Sequence, residues 1–232
     1  MDRRKFTVQA GGLAGALLLG TPMSVKAVSL ASLSEGEATA GLRAALERGA
    51  LAAVSLLGRT DGFLGNPKVR IELPQKLQEA ANLLRTLGQG RRLDELETAM
   101  NRAAEAAVPQ ARSLLVGAVR QMNVQDAKQI LTGSETSVTE FFSAKTREPL
   151  AARFQPIVAR TTEKVGLARR YNQLIERASA FGLVDADARI EPYVTARALD
   201  GLFLVIGEEE VRIRRDPIGT GSAILRRVFG SL

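Results

Sequence analysis

Residues 198–207 read ALDGLFLVIG, inside a segment that opens near Pro192 and ends at Asp216-Pro217. Apolar side chains point in nearly every direction around a 3.6-residue turn, with one carboxylate, Asp200, among them. A helix that is apolar all round is enclosed by other helices, because each face needs a neighbour that excludes water. Pro192 suits a helix start, where the missing N–H is not needed, and Pro217 stops one. The tail, EEEVRIRRD, is strongly charged and is expected to emerge into water. This segment sets the expected fold: all-α, a compact multi-helix bundle.

Composition points the same way. Of 232 residues, 45% are hydrophobic and 25% charged, the balance of a chain that can bury a core. Ala, Leu, Arg and Glu are plentiful, and all four favour helix. Val, Ile and Thr are scattered singly rather than in alternating runs. There is no Cys and no His. Disulfides, thiolate nucleophiles and Cys-ligated metals are excluded, and so are the usual general base and the commonest metal ligand. Catalysis would have to rest on Asp, Glu, Lys, Arg, Tyr, Ser or Thr. No catalytic residue, metal site or cofactor is predicted, and the reading leans away from an enzyme.

The formal charge is +7, of which residues 1–27 hold +3 through Arg3, Arg4, Lys5 and Lys26 against Asp2. The remaining +4 is spread thinly. It forms no Lys/Arg block with interleaved aromatics, so no nucleic-acid partner is expected.

Residues 1–27 read as an export signal: a basic start, an apolar run from Ala10 to Gly20, and Val25-Lys26-Ala27 as a small-x-Ala site cut after Ala27. The run is too short and Gly-rich for a membrane span, which takes roughly 20 apolar residues. Arg3-Arg4 with Phe6 resembles the twin-arginine signal, although Thr7 and Val8 depart from its usual ending. A general secretory signal, or a basic N-terminus of a cytoplasmic protein, are the alternatives. Export by either route predicts a soluble periplasmic protein with no integral span after cleavage. Residues 28–33 read as a linker and 34–232 as a single helical domain.

Along that domain, Ser34 with Glu37 forms a capping box for a helix that runs to Leu57 and stops at Gly58. Pro74 starts a helix reaching Leu87. The spacing predicts further helices over about 91–107, from Pro109 to Met122, and from an Asn123/Asp126 cap to near Gly133. Two more cover 136–146 and 147–165, with a kink or break at Pro156. Helices over about 168–181 and 221–229 complete the count.

Four groups of residues are candidates for function. Glu97, Asn101 and Glu105 recur every fourth residue and, with Arg102, share one helix face. They suit a cation or polar ligand, or simply a solvated face with Arg102 paired to Glu105 or Glu97. Asp200, flanked by Leu199, Gly201, Leu202 and Phe203, is expected to be partly buried and paired with Arg102 or Arg70. It reads as a tuned acid–base group or as an ion pair that fixes helix register. Glu208, Glu209 and Glu210 with Arg212, Arg214 and Arg215 give the i, i+4 pairs Glu208–Arg212 and Glu210–Arg214. The stretch from Arg59 to Pro74 is long for a loop between helices. Phe63, Leu64 and Ile71 anchor it by burial, and Val69, Ile71 and Leu73 alternate with Arg70 and Glu72 as an extended segment does. Asp61, Asn66, Lys68, Arg70 and Glu72 are left to face a ligand, unless the loop is a packed structural element.

Several strings carry a family resemblance: LLGRTDGFLGNPKVRIELP, MNRAAEAAVPQA, TEFF followed by FQPIV, and YVTARALDGLFLVIGEEEVRIRRDP with a final VFG. Together they resemble the domain-of-unknown-function 4197 family, over roughly residues 36–230. The resemblance implies an exported, mostly helical domain and brings no reaction, cofactor or catalytic residue with it.

Three functional readings follow. The first is a non-catalytic periplasmic binding or interaction protein, whose partner is an envelope protein, a lipid or a small molecule. The second is a carboxylate-dependent hydrolase or metal-assisted enzyme built on Asp200 with Glu105 or Glu209. The third is a structural, oligomeric envelope protein.

Overall fold

The computed structural model describes residues 35–75, 78, 81, 85–88, 90–134, 136–180 and 188–215. The export signal, the linker, the Ser34 cap, the Asp216-Pro217 stop and the helix expected over 221–229 lie outside the described residues.

Every regular element among the described residues is helical. In chain order they are α1 (Glu35–Leu57), α2 (Gly90–Ala107), a 3-10 turn (Val108–Gln110), α3 (Ala111–Gln121), α4 (Val124–Thr132), α5 (Ser137–Thr162), α6 (Gly166–Ala180) and α7 (Ile190–Arg215). Gln75, Gln78, Ala81, Arg85 and Thr86 are also helical, in line with a start at Pro74, whose carbonyl accepts from the Gln78 N–H. The Asn123 cap is present in full. Its side chain accepts from the Asp126 N–H, and the Asp126 carboxylate accepts from the Asn123 N–H.

Two expectations need correction. The first concerns α5, which runs unbroken through Pro149 and Pro156. Both prolines are exposed, so water can satisfy the carbonyls that lose their partners. Tertiary packing supplies the rest. Val138, Phe142, Thr146, Leu150, Phe154, Val158 and Thr162 are all buried at a strict spacing of four. Each such step overshoots a full turn by about 40°, so the buried face swings roughly 240° around the helix along its length. The helix therefore meets α4, α3, α2 and α7 on different sides.

The second concerns α7. It packs mainly on α5 and α1, but it is not enclosed all round. Ala196, Arg197, Asp200 and Leu204 form an exposed stripe at helical spacing. Its charged end does not leave the fold either: Glu209, Glu210 and Ile213 are buried. Gly49 of α1 faces Glu209 and Ile213, and its missing side chain brings the two helices close.

Among the described residues the core is one cluster drawn from α1 to α7, from Ala81 of the helical stretch after Pro74, and from Phe63, Val69, Ile71 and Leu73 of the connection after α1. That connection is therefore part of the core rather than an appendage. The turn at its start has a steric requirement. A Cβ at Gly62 would lie 2.4 Å from the Leu57 carbonyl oxygen, so only glycine fits. Asp61 before it takes φ 63°, a left-handed conformation that Asp tolerates better than most residues.

Candidate functional site

Residues 70–74 lie in neither helix nor turn, with Val69, Ile71 and Leu73 buried and Arg70 and Glu72 exposed, as the alternation predicts. No neighbouring strand pairs with this segment among the described residues. The side chain of Asn101 on α2 takes that place. The Ile71 N–H donates to Asn101 Oδ1 at 2.8 Å, and Asn101 Nδ2 donates to the Ile71 carbonyl at 2.9 Å and the Glu97 carbonyl at 2.8 Å. One buried amide thus stands in for a rung of a β-ladder.

Glu105, one turn further along α2, holds the first half of the loop. Its Oε1 accepts from the Phe63 and Leu64 N–H groups at 3.1 and 3.2 Å. Its Oε2 accepts from Arg102 Nη1 at 2.7 Å, and Arg102 Nη2 reaches Asp61 Oδ1 at 2.8 Å. Glu105 is only 5% exposed, so this carboxylate has exchanged water for three fixed donors. The hydrogen bonds to Glu105, then to Asp61, raise the Arg102 guanidinium above its ordinary value, and it stays charged. Arg70 adds an outer clasp to Glu97 at 2.7 Å. The face bearing Glu97, Asn101 and Glu105 is therefore neither solvated nor open to a ligand. The loop lies on it.

Asp200 lies elsewhere and is not buried: its side chain is 47% exposed. It pairs with neither Arg102 nor Arg70. Its Oδ1 accepts from Arg147 Nη2 of α5 at 2.5 Å, and its Oδ2 lies 3.8 Å from Arg197 Nη1. Its apolar sequence neighbours point away because successive helix positions differ by about 100°. Arg197 lies over the Tyr193 ring, and Arg147 over Phe203. The Tyr193 hydroxyl donates to the Glu72 carbonyl at 3.0 Å, joining this ridge to the loop.

Tyr193, Arg197 and Asp200 divide two clefts. One, about 820 Å³, lies between the ridge and a wall of Arg70, Ile71 and Glu72. The other, about 760 Å³, lies between α7 and α5, with Arg147, Ala151 and Gln155 on the far side. Thr195 borders the second cleft, buried, and among the described residues its hydroxyl has no hydrogen-bond partner.

Glu209 sits against α1 and pairs with Arg212 at 3.0 Å rather than leaving Arg212 to Glu208, which takes Lys68 at 2.6 Å. The side chain of Arg214 lies outside the described residues. Asp200 and Glu209 are nine residues apart on one helix, about 14 Å along its axis. Glu105 shares no partner with either. Arg70, Asn101, Arg102 and Glu105 thus gather around the loop with Asp61 and Phe63. Asp200, paired with Arg147, and Glu209, paired with Arg212, lie apart from that group and from each other, and Asn66 closes the loop by accepting from the Lys68 N–H. Among the described residues, no group of three acidic side chains is placed to hold a metal ion.

Sequence reasoning missed Tyr193, Arg197 and Arg147. The first two had a signal, since positions 193, 197 and 200 form an i, i+4, i+7 polar line on an apolar helix. Arg147 had none, because it meets Asp200 only through the packing of α5 on α7.

Fold and site together define an all-α domain with an inlaid loop and two clefts beside its last helix. No helix among the described residues is long and apolar enough to cross a membrane. The chain belongs to the DUF4197 family, described as "Protein of unknown function (DUF4197)", whose model matches residues 32–230. No curated protein and no solved structure matches it.

Proposed function

We propose that this protein is a non-catalytic binding protein of the bacterial envelope, exported to the periplasm, that takes its partner in the clefts beside Tyr193, Arg197 and Asp200. The observation that carries the reading is the rigid wall of the larger cleft. Its backbone is fixed from behind by Asn101, so the cleft exists before a partner arrives and loses little freedom on binding. The lining chemistry suits recognition. It combines an aromatic ring, an arginine that stacks on it, and a carboxylate shared by two arginines, all partly exposed. The N-terminal basic–apolar–small pattern supports export. The lack of His and Cys, with Glu105 fully engaged by backbone amides and Arg102, supports binding over catalysis.

The test is native mass spectrometry of the protein released gently from periplasm, alongside the Tyr193→Ala/Arg197→Ala variant. The expected result is an added mass, small molecule or protein, on the parent and its loss in the variant. A bare mass for both, or recovery of the protein only from cytosol, sinks the reading.

A further inference from the structure

A different groove, about 640 Å³, runs between the C-terminal half of α1 and the start of α3. Its floor is apolar, with Leu51, Ala52 and Pro109, and its rim carries Arg48, Arg59 and Arg112. Among the described residues, no carboxylate lines it. The two clefts beside Tyr193 carry Glu72 and Asp200, and Glu148 and Asp200; a smaller one between α2 and α6 carries Glu95, and another between α3 and α5 carries Asp126. Arg70, Arg102, Arg147, Arg189, Arg197 and Arg212 meet a carboxylate, whereas Arg120, Arg160 and Arg169 meet none among the described residues. Arg59 and Arg112 are exposed and meet none among the described residues either. What sets this face apart is that two such arginines flank one apolar groove.

We infer that this face docks on an anionic phospholipid surface. Guanidinium groups match phosphate oxygens in a planar, two-point geometry, and they do so best where no internal carboxylate competes. The apolar floor between the arginines gives the upper acyl chain a surface to cover, as on other interfacial protein faces. An acidic protein partner would use the arginines but leave that floor without a matching occupant. The inference does not depend on the clefts beside Tyr193, which are lined by other residues.

Vesicle co-sedimentation of the full chain tests it, with phosphatidylcholine vesicles compared with vesicles of equal parts phosphatidylcholine and phosphatidylglycerol. The parent and Arg59→Gln/Arg112→Gln keep the same N-terminal segment, so their difference isolates the groove. A charge-matched control, Arg160→Gln/Arg169→Gln, changes two exposed arginines on α5 and α6. The expected result is binding to the anionic vesicles only, reduced about tenfold or more in the groove variant at low salt and nearly unchanged in the control. Equal losses in both variants, no loss in the groove variant, or no preference for anionic vesicles overturns the inference. So does failure on vesicles combined with groove-dependent capture of poly-glutamate, which assigns the face to an acidic protein instead.

Discussion

Two arginine–carboxylate groups in this molecule use the same chemistry to opposite ends. Around Glu105 and Arg102 the carboxylate is buried under a loop, and every contact ties one part of the chain to another. Around Asp200, with Arg147 and Arg197, the carboxylate is half exposed and borders two clefts. The pairs differ in burial and in what backs them, since backbone amides hold Glu105 whereas only side chains hold Asp200. Buried polar groups with complete partners build a fold, while exposed ones contribute little stability and stay available for exchange.

The largest effect expected from this contrast lies at the loop. Glu105→Ala strands two backbone amides and takes from Arg102 one of its two carboxylates, and should lower unfolding stability by about 3–5 kcal/mol. Asn101→Leu removes both partners of Ile71 and should cost about 2–4 kcal/mol. Urea unfolding measures both. A loss under about 1 kcal/mol in either would mean the loop is held by its apolar anchors alone. Gly201→Ala comes next. Its new Cβ would lie 2.8 Å from Phe63 Cε1 and 3.1 Å from Val69 Cβ, both buried, so overpacking of about 1–3 kcal/mol is expected in the same assay. At the ridge, Asp200→Asn should change stability by less than about 1 kcal/mol while altering the mass bound in native spectra. A larger destabilisation would make the ridge a second structural clasp and erase the distinction.

The smallest effect is a pH dependence at Tyr171 of α6. Burial, and then the nearby Tyr193, raise the Tyr171 phenol above its ordinary value of 10.0. A raised phenol pKa means the folded state holds its proton longer than the unfolded chain. Its contribution is whole below pH 10.0 and falls as pH rises past that point. The melting temperature of Tyr171→Phe relative to the parent should be flat below pH 10.0 and rise above it. A flat difference throughout would place the Tyr171 hydroxyl in water.

Much of the fold was legible because its signals are local. The Asn123/Asp126 cap, the helix ends at Gly58 and Gly133, the start at Pro74, and the alternation from Val69 to Leu73 are each read within a few residues. What failed was what depends on neighbours. Pro156 signals a break, yet α5 continues because its exposed side tolerates the lost bond and its buried side has a partner at every turn. Asp200 reads as partly buried and paired with Arg102 or Arg70; it is half exposed, but the helix turns it towards Arg147 of α5 instead. The site was half legible. The spacing of Glu97, Asn101 and Glu105 identified a shared face correctly, and the anchors Phe63 and Ile71 were evident, but the sequence does not say that the anchored loop covers that face. Arg147 could be found only once α5 and α7 were placed side by side.

The inlaid loop also fixes an order of events. Phe63 and Val69 pack beneath Gly201, Lys68 reaches Glu208 across 140 residues, and Glu72 meets Tyr193 across 121. These closures cannot begin until α7 has been synthesised, and such long separations slow folding. Through most of translation the loop has α2 behind it and nothing in front. The larger cleft is thus among the last features of the protein to form, although α2 already backs its wall, and a chain truncated before α7 would leave the Gly201 side of Phe63 and Val69 uncovered.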